Sequence, residues 1–239
     1  GWEFPVTAAE PLLALLGNRF AVSDDLAEWL TLYQDPLPSL PAHNVLMSQA
    51  DLLKPLADGR IPLPHQCSGV SWLLKRREAL LADEMGLGKS LTALLGARAI
   101  SRSTPISVMV IAPVGVHDHW LSEATAVGVP IVLHSWARIP KDLPSSGALL
   151  IVDEAHFAQS LYSNRTQSFL RLARHPCLRA IWLLTATPMK NGRPFELFPL
   201  LAAINHPLAL DQKEFEKRFC RRQLSNNVAL DAITLSELR

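Results

Sequence analysis

The chain has 239 residues, of which 49% are hydrophobic and 19% are charged, and its 23 basic and 22 acidic side chains leave a formal net charge of +1. This balance excludes the general basicity of a histone-like protein, so any contact with nucleic acid must be local. No apolar run approaches the ~18 residues of a membrane-spanning helix, and we therefore expect a soluble globular protein without a membrane partner.

The cysteines and the N-terminus bear on location. Cys67, Cys177 and Cys220 are far apart in sequence and form neither a CxxC pair nor a disulfide framework. The stretch GWEFPVTAAE lacks the charged start and the apolar run of a secretory signal. Both observations favour an intracellular protein, in a bacterial cytoplasm or nucleoid or in a eukaryotic nucleus.

Residues 1–60 differ in pattern from the rest of the chain. Short helical patterns such as SDDLAEWL are mixed with scattered prolines. The stretch QDPLPSLPAHN breaks any helix, because proline fixes φ and lacks a backbone donor. We predict a small, mainly helical accessory segment here.

From residue 61 onward, short apolar runs alternate with longer helical patterns. The runs are ALLA (79–82), VMVIA (108–112), ALLIV (148–152) and AIWLL (180–184). Consecutive apolar positions are typical of parallel strands that helices cover on both faces. The sequence therefore predicts an α/β fold, a doubly wound parallel sheet whose ligands bind outside the carboxyl ends of the strands.

The stretch LADEMGLGKS (81–90) follows the first predicted strand and leads into a helical pattern. Gly86 and Gly88 allow the backbone to approach phosphates closely. Lys89 would contact the β- and γ-phosphates, and the Ser90 hydroxyl would bind Mg²⁺. The generic phosphate-binding motif opens with a glycine where this chain has Asp83. A glycine-rich turn with a solvated lysine is the alternative interpretation.

The stretch IVDEAH (151–156) places Asp153 and Glu154 at the end of another predicted strand. A magnesium-bound triphosphate needs a carboxylate near the metal and a second group that orients or deprotonates the attacking water. Asp153 suits the first role and Glu154 the second, although acidic residues also favour an ordinary helix start. Since both motifs occur in this order and each follows a strand, the sequence predicts nucleotide hydrolysis.

Two further stretches bear on the same site. Thr185 and Thr187, after the last predicted strand, could bond the DEAH turn and register a γ-phosphate; a plain turn stopped by Pro188 is the alternative. Gln66 lies upstream of the loop, and its amide carries the donor and acceptor that match the edge of adenine. An ordinary exposed glutamine is the alternative for that position.

Together these elements resemble the first ATPase lobe of the Swi/Snf-type DNA translocases of helicase superfamily two. LADEMGLGKS is similar to motif I of that family, in which an acidic pair before the glycines is normal. PHQCSGVSWLL resembles its Q motif, VMVIAPVGVHDHW its motif Ia, IVDEAH its motif II and LLTATPMKN its motif III. KEFEKRFC and WEFP resemble the branch of annealing helicases of the HARP type. Ser90 stands where threonine is commoner, and Ala186 where glycine is usual.

The resemblance implies a RecA-like P-loop lobe over residues 61–225, with ATP and Mg²⁺ as cofactors. It implies that Lys89, Asp153 and Glu154 are catalytic, that Ser90 and Asp153 hold the metal, and that His156, Thr185 and Thr187 couple the motifs. The residues that it assigns to nucleotide binding are Gln66, Asp83, Gly86, Leu87, Gly88, Lys89, Ser90 and Leu91.

The resemblance also implies ATP-driven movement along double-stranded DNA through contacts with the phosphate backbone. Pro113, Trp120, Ser135 and Arg138 are the expected contact positions. For two of them an ordinary role competes, because Trp120 could pack in the core and Arg138 could be a solvated side chain.

A second ATPase lobe, with arginines that stabilise the transferring phosphoryl group, is part of the same expectation. Residues 226–239 would begin the linker to it, and too few residues follow 222 to form it. We therefore expect little or no DNA-stimulated ATPase from the chain alone. Two other functions remain open: a nucleotide-dependent binding module without turnover, and an RNA helicase lobe of the same superfamily.

Overall fold

A computed structural model describes residues 54–189 and 193–220. The chain divides into two compact units; of the described residues, 54–212 belong to one and 213–220 to the other. Most of the predicted accessory segment, and all of the predicted linker at 226–239, lie outside the described residues.

The larger unit alternates strands and helices along the chain. Its strands are β1 (Glu78–Leu81), β2 (Ser107–Ala112), β3 (Ile131–Ser135), β4 (Ala148–Asp153) and β5 (Leu178–Leu184). Its α-helices are α1 (Pro64–Leu74), α2 (Lys89–Ser103), α3 (His117–Val127), α4 (Asn164–Ala173) and α5 (Phe198–Ala203). Short 3₁₀ helices cover Val114–Val116, Ala155–Ala158, Pro194–Glu196 and Pro207–Ala209. A last helix, α6 (Gln212–Phe219), forms most of the described part of the smaller unit.

The strands form one sheet in the order β1-β5-β4-β2-β3, and every neighbouring pair is parallel. This confirms the predicted α/β class, and the four predicted strands correspond to β1, β2, β4 and β5. β3 is not among the predicted strands. It lies at an edge of the sheet, its Val132 is half exposed, and it ends in the polar residues His134 and Ser135. It therefore lacks the continuous apolar run that marks a buried parallel strand.

The core lies between the central strands and the helices that cover them. Residues 148–152 of β4 have no exposed surface, and α2 buries one long face against the sheet. Gly96 lets α2 come close to β5, because a Cβ at this position would lie 2.9 Å from the Trp182 ring. Each large apolar side chain buried in this way contributes about 1.5–3 kcal/mol relative to an exposed one.

The packing of this unit extends upstream of residue 61. Leu56 is buried in the same core, and the Ala57 N–H donates to the Ala126 carbonyl at 3.0 Å. The Arg60 guanidinium lies 2.9 Å from the Glu123 carboxylate on α3, and this contact raises the pKa of Arg60. Residues 54–60 are thus held against α3.

The register of three strands determines which residues meet at one edge of the sheet. Leu81 of β1 pairs with Leu184 of β5, and Leu184 pairs with Asp153 of β4. Because the strands are parallel, the segments that follow them leave the sheet side by side. No helix in the described part of the chain is long and apolar enough to cross a membrane.

His206 caps the 3₁₀ helix at Pro207–Ala209, where its Nδ1 accepts the Leu208 N–H at 3.3 Å. Burial lowers the pKa of the ring from 6.5 to about 4. The folded chain therefore holds the neutral form of this imidazole, and protonation opposes folding.

We predict that the chain loses stability as the pH falls from 6.5 toward 4, since the unfolded chain binds a proton at His206 before the folded chain does. The gap between the two pKa values corresponds to at most about 3 kcal/mol of unfolding free energy. Urea unfolding at about pH 7 and about pH 4.5 measures the loss. In His206→Asn, which keeps an acceptor for the Leu208 N–H, the loss should shrink by this amount.

The matched control is His175→Asn, because His175 Nδ1 likewise accepts the N–H of the second residue after it, Cys177. An equal pH dependence in the wild-type chain and in His206→Asn would contradict the prediction.

Candidate nucleotide site

The loop between β1 and α2 has the backbone of a phosphate-binding turn. Gly86 and Gly88 have φ values of +83° and +73°, in the left-handed region that favours glycine. Asp83 does not lie in this region. An ordinary L-residue therefore fits where the generic motif has its first glycine, and the aspartate does not strain the turn.

Lys89 holds the loop closed through its ammonium group. Its Nζ donates to the carbonyls of Asp83 at 2.7 Å and Glu84 at 2.9 Å. An ammonium has three N–H donors, so one remains for an anion. Asp83 and Glu84 thus have a structural role through their backbone carbonyls. The sequence motif alone does not indicate this role.

Gln66 braces the other side of the loop. Its Oε1 accepts the Leu63 N–H at 2.9 Å and its Nε2 donates to the Leu87 carbonyl at 3.3 Å. A Cβ on Gly88 would overlap with Nε2 of Gln66. The Gln66 side chain is only 6% exposed. The expectation that this amide reads adenine stays a prediction, because each end of the amide makes one hydrogen bond within the protein and keeps one donor or one lone pair.

The first turn of α2 offers backbone donors and one hydroxyl. Lys89, Ser90 and Leu91 begin the helix after Gly88, and the first N–H groups of a helix have no partner within it. The Leu91 side chain packs in the core, so only its backbone N–H is suited to a phosphate. Leu87 is 39% exposed, and its carbonyl also lies 3.0 Å from His65 Nε2.

Asp153 ends β4 and is held by three hydrogen bonds. Its Oδ1 accepts the Glu154 N–H at 2.9 Å, and its Oδ2 accepts Nε1–H of Trp120 at 2.8 Å. Its backbone carbonyl accepts Nε1–H of Trp136 at 2.9 Å. Trp120 has no exposed surface, so the expectation that it contacts DNA is wrong. The apolar ring is buried in the core, and its one polar atom faces Asp153.

Glu154 has an unusual backbone conformation for a residue with a side chain. Its φ and ψ are 49° and 50°, which places it in the left-handed region at the start of the 3₁₀ helix Ala155–Ala158. This conformation costs an L-residue roughly 1–2 kcal/mol. Strain of this kind tends to persist at functional sites.

His156 joins the DEAH turn to the segment after β5. Its Nδ1 lies 3.1 Å from Glu154 Oε2, 3.2 Å from Thr185 Oγ1 and 3.4 Å from Thr187 Oγ1. The Thr187 N–H also donates to Thr185 Oγ1 at 3.1 Å. The predicted coupling residues are thus brought together. A single ring nitrogen carries at most one proton, so these partners compete for it.

Gln159 contacts the segment after β5, and the sequence does not predict this contact. Its Nε2 donates to the carbonyls of Thr187 at 3.2 Å and Pro188 at 3.1 Å. It adds a second link between the segment that follows β4 and the segment that follows β5. An isolated glutamine three residues after a motif carries no recognisable pattern.

The remaining predicted DNA contacts lie at the β2–β3 part of the same sheet edge. Pro113 follows β2 and is partly exposed, and Ser135 is the last residue of β3. Arg138 is exposed in the next turn, where its N–H donates to the Ser135 carbonyl at 2.9 Å. Arg138 forms no ion pair with any other residue between 54 and 189 or between 193 and 220.

The oxygen atoms at the site suit Mg²⁺. Mg²⁺ prefers oxygen ligands and is usually bound by one or two protein groups together with substrate phosphates. Each Asp153 carboxylate oxygen accepts one hydrogen bond, which leaves it a free lone pair. The Ser90 hydroxyl has no hydrogen-bond partner among the described residues. No group of three or more His, Cys, Asp or Glu side chains in that part of the chain forms a metal cage.

Comparison with known proteins finds a family model that matches part of this arrangement. Residues 65–128 match the family model described as the SNF2-related domain. The matched segment runs from α1 through the phosphate-binding loop to the end of α3.

Curated relatives match a larger part of the chain. The SWI/SNF-related matrix-associated actin-dependent regulator of chromatin subfamily A-like protein 1 of Bos taurus is 25% identical over 223 residues, which cover 82% of this chain and 23% of the relative. The Caenorhabditis elegans homolog is 29% identical and covers 66% of this chain and 26% of its own length. The DNA annealing helicase and endonuclease ZRANB3 of Mus musculus is 28% identical, with 66% of this chain and 17% of that protein covered.

This chain thus spans about a fifth of the length of the curated relatives that it matches. Among solved structures, the Sulfolobus solfataricus SWI2/SNF2 ATPase core in complex with dsDNA has a TM-score of 0.55 and 21% identity. The match covers 70% of this chain and 41% of that one, and it shows a shared fold.

The expected Swi/Snf-type resemblance is confirmed by these findings, in the same region that forms the phosphate-binding loop. Residues 65–128 thus match an SNF2-related domain, the chain is similar to SWI/SNF-related and ZRANB3 annealing-helicase proteins, and it shares its fold with an SWI2/SNF2 ATPase core.

Proposed function

We propose that this lobe binds Mg²⁺-ATP and, together with a second ATPase lobe, hydrolyses it to drive movement along double-stranded DNA. One observation carries the proposal. The loop closed by Lys89, the turn with Asp153 and Glu154, and the pair Thr185 and Thr187 leave three adjacent strands at one edge of the sheet. Phosphoryl transfer needs these groups in one place, since it depends on positioning and charge stabilisation.

Each residue has a role that its contacts support. Lys89 would direct its remaining N–H to the β- and γ-phosphates, beside the backbone N–H groups of the α2 start. Ser90 and Asp153 would hold the metal, which neutralises charge on the phosphates when bound. Glu154 would orient the attacking water and accept its proton.

The proton on His156 can link the state of Glu154 to the segment after β5. Oxygen atoms of Glu154, Thr185 and Thr187 all lie within 3.5 Å of His156 Nδ1, and a proton on this nitrogen cannot be shared fully with all three. A change in Glu154 when the γ-phosphate leaves would therefore alter the bonds to the segment after β5. We propose that this exchange couples hydrolysis to motion of that segment.

Duplex DNA would lie along the β2–β3 part of the edge. Pro113, Ser135 and Arg138 are partly or fully exposed there. Arginine and hydroxyl contacts with phosphates carry no base information, which suits a protein that moves over any sequence. The similar Sulfolobus solfataricus core was solved with dsDNA, which supports the choice of polymer.

A second lobe is proposed as the partner that completes catalysis. The match covers about a fifth of the length of the curated relatives. Within the described residues, Lys89 is the cation that bonds the phosphate-binding loop. An arginine supplied in trans can raise the rate of phosphoryl transfer by roughly 10³–10⁵. Duplex DNA should therefore add little to the turnover of this chain alone.

Replacing Lys89 tests nucleotide binding. Lys89→Ala removes the donor to the phosphates, and we expect a roughly 10- to 100-fold weaker affinity for a fluorescent ATP analogue with Mg²⁺. Lys75→Ala, on the exposed end of α1, removes the same charge away from the loop and should leave affinity unchanged. Equal affinities of wild type and Lys89→Ala would exclude the site.

Replacing Glu154 separates hydrolysis from binding. With the chain in excess over radiolabelled ATP, a single turnover is measurable even when it is slow. Glu154→Gln should slow this step by roughly 100-fold or more, because it removes the proton acceptor, and should keep nucleotide affinity within about two-fold. Glu84→Gln, in the exposed loop, is the matched carboxylate control. Tight binding without any effect of Glu154→Gln on hydrolysis would instead support a binding module without turnover.

Replacing Arg138 tests the DNA surface. In fluorescence anisotropy with two unrelated duplexes, Arg138→Ala should weaken binding equally for both and reduce the salt dependence by about one phosphate contact. The control is Arg174→Ala, an exposed arginine between α4 and the amino end of β5. Preferential competition by single-stranded RNA would favour an RNA helicase lobe.

A further inference from the structure

Two indole N–H groups from different parts of the chain converge on Asp153. Trp120 on α3 donates to the side chain, and Trp136 after β3 donates to the backbone carbonyl. Both rings are buried, with 0% and 6% exposure. Neither tryptophan belongs to the groups that would contact nucleotide, so the role of these bonds is not explained by the residues assigned to ATP and metal.

The bond from Trp120 fixes the direction of the Asp153 carboxylate. An aspartate carboxylate turns about a broad terminal torsion, and its metal-binding lone pairs turn with it. Here the Glu154 N–H takes one lone pair of Oδ1 and the Trp120 indole one of Oδ2. With one donor on each oxygen, the carboxylate plane is set. The Trp120 bond joins a fully buried indole to a carboxylate, and such charge-assisted bonds are among the stronger hydrogen bonds in a protein.

The ring of Trp120 is itself held by the core. It packs in the apolar cluster that includes Ala124 and Val127 of its own helix and Val110 of β2. Trp136 is held by edge-to-face contacts with Phe157 and Phe169, at centroid distances of 6.0 and 5.7 Å. Because a packed indole cannot change rotamer, its N–H keeps one direction and can fix the orientation of the carboxylate. A solvated donor would move with the carboxylate.

We infer that Trp120 is a positioning residue for the carboxylate that holds Mg²⁺, and that Trp136 fixes the backbone of the same residue. This inference rests on the proposed function of Asp153 as the metal ligand. Removing the Trp120 N–H should weaken the metal contact while it leaves the phosphate-binding loop, which is built from β1 and α2, intact. Partners of this type typically change metal affinity by roughly 10- to 100-fold.

The test measures how much Mg²⁺ improves nucleotide binding. The dissociation constant of the fluorescent ADP analogue mant-ADP is determined with EDTA and with saturating Mg²⁺, and the ratio of the two is the magnesium effect. In Trp120→Phe the dissociation constant with EDTA should stay at the wild-type value, whereas the magnesium effect should fall by roughly 10-fold. A general loss of structure would instead weaken both constants together.

Trp182→Phe is the matched control. Trp182 is as completely buried, and its Nε1–H bonds the Arg76 carbonyl at 3.4 Å rather than a residue of the site. The substitution Trp182→Phe removes the same ring volume as Trp120→Phe and should keep the wild-type magnesium effect. In an Asp153→Ala background, Trp120→Phe should cause no further decrease, because the two residues act through one bond.

If Trp120→Phe does not fold, the same titration is made with the benzothienyl analogue of tryptophan at position 120. This analogue replaces the indole N–H by sulfur at nearly constant volume. An unchanged magnesium effect in these variants, or an equal loss in Trp182→Phe, overturns the inference while the nucleotide site stands. A wild-type chain that binds no mant-ADP, or binds it without any effect of Mg²⁺, overturns the proposed metal site itself and the inference with it.

Discussion

The register of β1, β5 and β4 is the constraint on which the site depends. Leu81, Leu184 and Asp153 lie in one row across these strands, and a shift of one residue would turn each side chain to the opposite face. Such a shift is prevented by burial on both faces, since residues 148–152 and 180–184 have almost no exposed surface. The positions of the loop, the DEAH turn and the threonines are therefore set by the apolar core. Contacts among the polar side chains are not needed to bring these segments together.

The same constraint explains which features the sequence could predict. Lys89, Asp153 and Thr185 each follow a continuous apolar run, and parallel strands bring the ends of such runs together. The edge strand β3 has no such run, so its pattern could not be distinguished from a loop. Contacts between distant residues were also hidden: Trp120 and Asp153 are 33 positions apart, and residue type alone does not show that an indole faces a carboxylate.

Gln66 shows how a motif can predict the position of a side chain without predicting all of its contacts. Its position beside the phosphate-binding loop follows from the sequence, but its amide is bonded to Leu63 and Leu87 within the protein. The close approach to Gly88 makes glycine necessary there for steric reasons as well as for its positive φ. Gln66 and Lys89 thus hold the loop from two sides: one bonds a carbonyl near its end, and the other bonds two carbonyls near its start.

Glu154 shows why these contacts act as one unit. Its left-handed backbone costs roughly 1–2 kcal/mol, which contacts made in the folded chain must offset. Two such contacts are present: its N–H donates to Asp153 Oδ1 at 2.9 Å, and its carboxylate lies 3.1 Å from His156 Nδ1. Asp153 is in turn bonded by Trp120, which follows the end of β2, and by Trp136, which follows β3. The orientation of Glu154 therefore depends on a continuous set of bonds that begins in the segments proposed to meet DNA. A disturbance at the β2–β3 part of the edge has a physical route to Glu154, the residue proposed to orient water.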